Sequence, residues 1–211
     1  MSQERAVRTG GSIEVITGGM FSGKSEELVR RLRRALIARQ RVQVFQHQAD
    51  IRSPPERLVT RDNRALDAVT VSSAVELREK LALGVEVIGI DEAQFFDRDL
   101  VPLLQELADR GLRIIVAGLD QDYRRQPFGL LPELLAIAEY VDKMHAVCVR
   151  CGAPAHYSQR IAGGEEQVQV GDGESYEARC RRCYQVFSAA RPEVDRALVD
   201  PAYGKRLARE S

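Results

Sequence analysis

Residues 18–25 read Gly-Gly-Met-Phe-Ser-Gly-Lys-Ser, a complete G-x-x-x-x-G-K-S/T pattern. This pattern requires a strand before it and a helix after it. Both are legible. Ile13 to Ile16 is an apolar run of strand length, and Leu28, Val29, Leu32, Ala35 and Leu36 recur at helical spacing. Gly18 and Gly23 let the backbone turn tightly, so that the N–H groups of Gly18, Gly19, Met20, Phe21, Ser22 and Gly23 converge on an anion. Lys24 then reaches the outer phosphates and the Ser25 hydroxyl is placed for Mg²⁺. The pattern implies a site for a nucleoside triphosphate.

Apolar runs alternate with helical periodicity through about residue 145. Strands are predicted at Ile13–Thr17, Val42–Phe45, Ala68–Val71, Val85–Ile90, Arg113–Ala117 and Val141–Val147. Helices are predicted at Lys24–Ala38, Ala74–Leu83, Leu100–Arg110 and Leu131–Ala138. Such alternation gives an α/β fold, a mostly parallel sheet with helices on both faces and ligands at the carboxyl ends of the strands. Arg30, Arg31, Arg33, Arg34 and Arg39 read as the solvated face of the first helix. Between Gln46 and Leu66 lies a long polar stretch containing Pro54-Pro55, which reads as a cover over the site.

Charge excludes one broad class. Lys plus Arg and Asp plus Glu number 31 each, so no basic excess supports non-specific nucleic-acid binding. No apolar run reaches membrane-spanning length, and Met1 to Gly11 lacks the apolar core of a signal peptide. The expectation is a cytoplasmic protein without a membrane or nucleic-acid partner.

The four cysteines form two C-x-x-C pairs, Cys148 with Cys151 and Cys180 with Cys183. Without an export signal these read as a structural zinc site rather than disulfides. Four thiolates close a tetrahedral shell and leave no position for substrate. The expected organisation is a tail at 1–10, a phosphate-loop α/β domain at 11–146, a zinc-binding domain at 147–190 and a charged tail at 191–211.

A second acidic element matches the loop. The strand Val85 to Ile90 ends in Asp91-Glu92. The first carboxylate suits Mg²⁺, and the second suits a general base for a water or for an alcohol. The pair alone leaves the acceptor open.

Met-Phe-Ser-Gly-Lys-Ser in the loop, Ile-Asp-Glu-Ala-Gln-Phe-Phe at 90–96, Gly-Leu-Asp at 118–120, Pro-Phe-Gly at 127–129 and the paired cysteines occur in this order. In series they closely resemble the type II thymidine kinases, the zinc-containing family of bacteria and animals, over about residues 11–187. The resemblance implies a RecA-like phosphate-loop domain, a small zinc-binding lasso domain, and phosphate transfer from ATP to the 5′-hydroxyl of thymidine. It implies Glu92 as base and Asp91 with Ser25 at Mg²⁺. Asp62 joins the ATP and Mg²⁺ contacts, and Arg160 lies near substrate and phosphates. By the same resemblance, Met20, Phe95, Leu119, Phe128 and Tyr176 line the thymine site, and Ser158 lies near the 5-methyl. The lasso, with Val170, Gly171, Asp172 and Gly173, closes over the base. Further implications are deoxyuridine as a second substrate, a homotetramer, and feedback inhibition by thymidine triphosphate.

Two positions depart from the pattern. Gln46 stands where relatives commonly carry lysine and Arg61 where they carry histidine, although Asp50 and Arg52 match. The competing reading is a zinc-containing, nucleic-acid-dependent phosphate-loop ATPase. It would need an arginine finger motif, a second motor domain or a basic stripe, whereas the chain is too short for a tandem motor and its charge is balanced.

Overall fold

The computed structural model describes residues 10–49, 57–59, 65–162 and 175–185. Its frame is a six-stranded sheet of β1 (Ser12–Gly18), β2 (Val42–His47), β5 (Val69–Val71), β6 (Val87–Asp91), β7 (Arg113–Gly118) and β8 (Tyr140–Met144). Two short strands, β3 (Arg57–Val59) and β4 (Ala65–Asp67), pair with each other apart from it. The order across the sheet is β5-β2-β6-β7-β1-β8, and every neighbouring pair is parallel. All six carboxyl ends therefore share one edge of the sheet.

Period-two patterning assigns the faces. Ile114 and Val116 pack among α2 (Ala74–Glu79), α3 (Leu100–Asp109) and α4 (Leu131–Ile137). Ile115 and Ala117 point the other way, onto α1 (Lys24–Ile37). Leu100, Leu103, Leu104 and Leu107 form the buried stripe of α3, each contributing about 1.5–3 kcal/mol by leaving water. On the opposite face α1 comes close enough that a Cβ at Gly89 would lie 2.6 Å from Leu32 Cδ1. Glycine in the middle of β6 is what lets the helix behind the phosphate loop seat on the strand that ends in Asp91.

Arg31 departs from the solvated-face expectation. Its guanidinium donates to Glu14 on β1 at 2.8 Å, to Glu27 at 2.8 Å and to Asp142 on β8 at 2.5 Å. Arg113 donates to the other oxygen of Glu14 at 2.5 Å. The α1 face of β1 is thus stapled by ions at Glu14, where the strand carries a charged residue instead of an apolar one. Hydrogen bonding to Arg30 holds the Glu27 carboxyl down at about 2, against the opposing effect of burial and with help from Arg31.

Two predicted boundaries move by more than two residues. The helix expected through Leu83 ends at Glu79. Gln43 captures the freed groups there, donating to the Lys80 carbonyl at 2.9 Å and accepting from the Ala82 amide at 2.9 Å. The strand expected at Val141–Val147 divides in two. β8 stays in the parallel sheet, whereas β9 (Ala146–Val147) leaves it to pair antiparallel with β10 (Pro154–Ala155) around the first cysteine pair. A second antiparallel pair, β11 (Tyr157–Arg160) with β12 (Tyr176–Arg179), leads to the second cysteine pair.

Candidate active site

The carboxyl end of β1 runs straight into the phosphate loop. Gly18 has φ 139°, and a Cβ there would meet the Met144 carbonyl at 2.3 Å, so only glycine fits between the loop and the end of β8. Gly23, at φ 84° and ψ 19°, turns the chain into α1 without a side-chain cap. The first-turn amides of α1 are thereby left for an anion. Lys24 is buried and donates to the Gly19 carbonyl at 2.9 Å; Ser22 donates to the same oxygen at 2.8 Å.

Phe21 does not present its ring to the loop interior. With φ 66°, it packs against the cysteine-bearing cluster of Ala146, Cys148, Ala155, Ala178 and Cys180. Ser158 on β11 is also engaged, its hydroxyl accepting the Met20 amide at 2.9 Å. The cysteine-bearing region therefore braces the phosphate loop directly.

Opposite the loop, β6 ends in Asp91 and Glu92, both almost fully buried. Asp91 Oδ1 accepts the Glu92 amide at 2.9 Å. Glu92 itself is left-handed, with φ 50° and ψ 44°, a conformation costing a non-glycine residue on the order of 1–3 kcal/mol and concentrated at functional sites. It opens a 3-10 turn, Ala93–Phe95, and the Gln94 side chain folds back so that Nε2 donates to Glu92 Oε2. Ser25 and Asp91 each carry an oxygen of the hard kind that Mg²⁺ prefers.

The predicted nucleoside-pocket residues fall into groups. Phe95 and Phe128 meet edge to face with centroids 6.3 Å apart. The Leu119 amide is held by Gln94 Oε1 at 3.0 Å. Arg160, 2% exposed, donates to the Tyr176 hydroxyl from Nε at 3.1 Å and from Nη2 at 2.6 Å. The Arg160 guanidinium also lies 3.7 Å from the centre of the Tyr123 ring. Gln46, in place of the commoner lysine, is buried on β2 and donates to Thr70 Oγ1 at 3.1 Å. Asp62, Val170, Gly171, Asp172 and Gly173 lie outside the described residues, as do Asp50, Arg52 and Arg61.

Gln94, Tyr123 and Arg125 are structural participants that sequence reading left without roles. Arg125 stacks over Tyr184 at 4.7 Å and over Tyr157 at 5.5 Å, and the Tyr184 hydroxyl donates to the Tyr123 carbonyl at 2.5 Å. These contacts tie the loop after β7 to the cysteine-bearing region. Their sequence signal was faint: an amide inside Asp-Glu-Ala-Gln-Phe-Phe, and an aromatic and an arginine in a polar run.

The thiol sulfurs of Cys148, Cys151, Cys180 and Cys183 all lie within 4.8 Å of one another. Cys151 and Cys180 sulfurs are 3.6 Å apart, close to the ~3.8 Å edge of a tetrahedron with zinc–sulfur bonds of about 2.3 Å. Burial raises the Cys148 thiol, but hydrogen bonds from the backbone of Cys180, Arg150 and Cys151 outweigh it and bring the thiol down to about 6. Burial and the neighbouring thiols push Cys183 up to about 12. Hydrogen bonding from the Ala153 backbone lowers Cys151 as well, so Cys183 alone of these three is raised. The donor set fits zinc.

A parallel sheet with a phosphate loop after its first strand and a buried acidic pair at the end of β6, two places away across β7, defines a P-loop nucleoside-triphosphate-binding protein. Comparison with known proteins narrows this. The thymidine kinase family model matches residues 11–184. A thymidine kinase of Rhodothermus sp. (strain ITI 518) is 51% identical over 199 residues, spanning 93% of this chain and 92% of that one. The thymidine kinase of Bdellovibrio bacteriovorus is 48% identical over 200 residues, 95% of each chain. That of Deinococcus radiodurans is 52% identical over 190 residues, 82% of this chain and 90% of that one. The chain belongs to the thymidine kinase family.

Proposed function

We propose that the protein transfers the γ-phosphate of ATP to the 5′-hydroxyl of thymidine, giving thymidine 5′-monophosphate and ADP. The observation that carries this reading is the buried Glu92 carboxylate, held by Gln94 at the carboxyl edge of the sheet that also bears a complete phosphate loop, in a chain of this family. The thymidine oxygen forms a bond to the γ-phosphorus, the bond from that phosphorus to the bridging oxygen breaks, and ADP leaves with the electron pair. Glu92 takes the proton of the attacking hydroxyl. Lys24 and the loop amides hold the outer phosphates, and Ser25 and Asp91 would hold Mg²⁺, which when bound offsets charge on the phosphates. Asp62 is assigned to the same nucleotide side.

Met20, Phe95, Leu119, Phe128 and Tyr176 form the thymine slot, closed by the lasso residues Val170, Gly171, Asp172 and Gly173. Arg160, fixed by two tyrosines, lies at the substrate side. Ser158, whose hydroxyl accepts the Met20 amide, lies near the 5-methyl. The four cysteines hold a structural zinc that clips the ends of the lasso region, residues 147–190, onto the kinase domain, residues 11–146. One methyl is worth about 1–3 kcal/mol, so deoxyuridine is a slower second substrate. A nucleoside panel tests the slot: thymidine and deoxyuridine are phosphorylated and purine nucleosides are inert, whereas equal use of purines would contradict it.

Thymidine triphosphate, carrying both the base and the phosphates of the two substrates, is the proposed feedback inhibitor. A cytoplasmic homotetramer is proposed with it. No described helix is long and apolar enough to cross a membrane. Among the described residues the sheet ends at β8, where Tyr140 is 61% and Val141 47% exposed beside the exposed Asp142 and Lys143, an edge suited to a second copy. Sedimentation equilibrium at four times the chain mass supports the tetramer, and a monomer mass sinks it. The nucleic-acid-dependent ATPase reading is not favoured, since charge is balanced and the family match runs through both halves of the chain.

A further inference from the structure

Gln94 is 4% exposed and is gripped by backbone on several sides. A Cβ at Gly129 would lie 2.3 Å from the Gln94 carbonyl, and one at Gly118 would lie 2.9 Å from Gln94 Oε1. Gly118 thus makes room for the side-chain amide, and Gly129 for the backbone of the same residue. Its orientation is fixed by chemistry. The Leu119 amide can only donate, so the group 3.0 Å from it must be the side-chain oxygen. The NH₂ is then turned toward Glu92, where it donates to Oε2. The backbone completes the arrangement. Left-handed Glu92 and the 3-10 bond from the Phe95 amide to the Glu92 carbonyl, at 3.2 Å, bring residues 92 and 94 to one side of the turn.

We propose that Gln94 is the positioning residue of the reaction, its amide fixing the Glu92 carboxylate against the Leu119 backbone at the border of the nucleoside slot. This rests on the reading of Glu92 as base. Gln94 touches no reacting atom. It acts by anchoring one carboxylate oxygen, which sets where the other points. Because the same amide also holds Leu119, the base and the wall of the slot keep one spacing. Displacing either by the width of a lost hydrogen bond would misalign the 5′-hydroxyl and its acceptor.

Two substitutions separate this role from simple packing. Gln94→Glu is isosteric and still accepts from the Leu119 amide, but it has no N–H for Glu92 and brings a like charge beside it. Gln94→Met keeps the volume and loses both bonds. The expected result for Gln94→Glu is a kcat lower by about 10–100-fold with KM for thymidine and ATP within about twofold of the parent, the pattern of an interaction lost in the transition state. Gln94→Met should match that loss and also lower the melting temperature, because the Leu119 amide is orphaned. A Gln94→Glu enzyme with undiminished kcat would overturn the positioning role, as would parallel losses in kcat, both KM values and melting temperature. Glu92→Gln is measured beside them. If that variant turns over normally, the base reading fails and this inference with it; if it is inactive while Gln94→Glu is fully active, only the positioning role fails.

Discussion

Glu92→Gln is expected to bind ATP and thymidine as the parent does and to lose about 10²–10⁴ in turnover, the range spanned by positioned proton-transfer groups. That corresponds to about 3–5 kcal/mol of transition-state stabilisation. The substitution preserves volume in a nearly closed site and leaves the left-handed turn its length of side chain. Gln94 keeps a carbonyl oxygen to donate to, and Asp91 still accepts the amide of residue 92. What disappears is the charge that receives the hydroxyl proton. Isothermal titration with a non-hydrolysable ATP analogue and with thymidine gives the binding half, and single-turnover kinetics give the chemistry. Parent-like turnover would remove Glu92 from the base role, and lost binding of both substrates would mean the carboxylate serves the fold.

Loss of zinc should be nearly as severe, for a different reason. Cys151 and Cys180 bracket a 28-residue excursion, residues 152–179. Clipping a loop of that length lowers the chain-closure entropy by an amount on the order of 3–4 kcal/mol if a metal clip behaves as a cross-link. The clip also carries the braces on the phosphate loop, the Phe21 ring in the cysteine-bearing cluster and Ser158 on the Met20 amide. Cys180→Ser is therefore expected to lose the metal, to weaken thymidine binding by about 100-fold or more, and to weaken ATP binding as well. Acidification should act in the same direction, since thiolates must be deprotonated to hold the ion and protons compete increasingly as pH falls. Metal content after gel filtration, with titration of each substrate, reads the outcome. A Cys180→Ser protein that keeps both metal and thymidine affinity would refute the clip.

Much of this architecture was legible in sequence because it rests on local rules. The glycine loop, the apolar alternation of β7 and the cysteine spacing each need only neighbours in the chain. β6 and its acidic end were legible for the same reason. The misjudged features depend on partners far away. α2 stops early because Gln43, 37 positions before Lys80, takes the Lys80 carbonyl. Arg31 leaves the solvated face because Glu14 and Asp142, the latter 111 positions distant, meet it in space. Phe21 sits inside a phosphate-loop motif yet faces the cysteines, because positive φ turns its side chain outward from the loop. Gln94 was visible as a letter in a motif, but its function is legible only once Leu119 and Glu92 stand on either side of it. Tyr123 became meaningful in the same way, through the guanidinium of Arg160.

The central claim is that an alcohol, not water, receives the phosphate. The direct measurement follows the γ-phosphate by ³¹P NMR in a mixture of enzyme, ATP, Mg²⁺ and thymidine, with single-stranded DNA added in a second sample. The account predicts thymidine 5′-monophosphate and ADP in equal amounts, little inorganic phosphate, and no response to DNA. Inorganic phosphate released without any thymidine 5′-monophosphate, at a rate raised by the DNA, would contradict it.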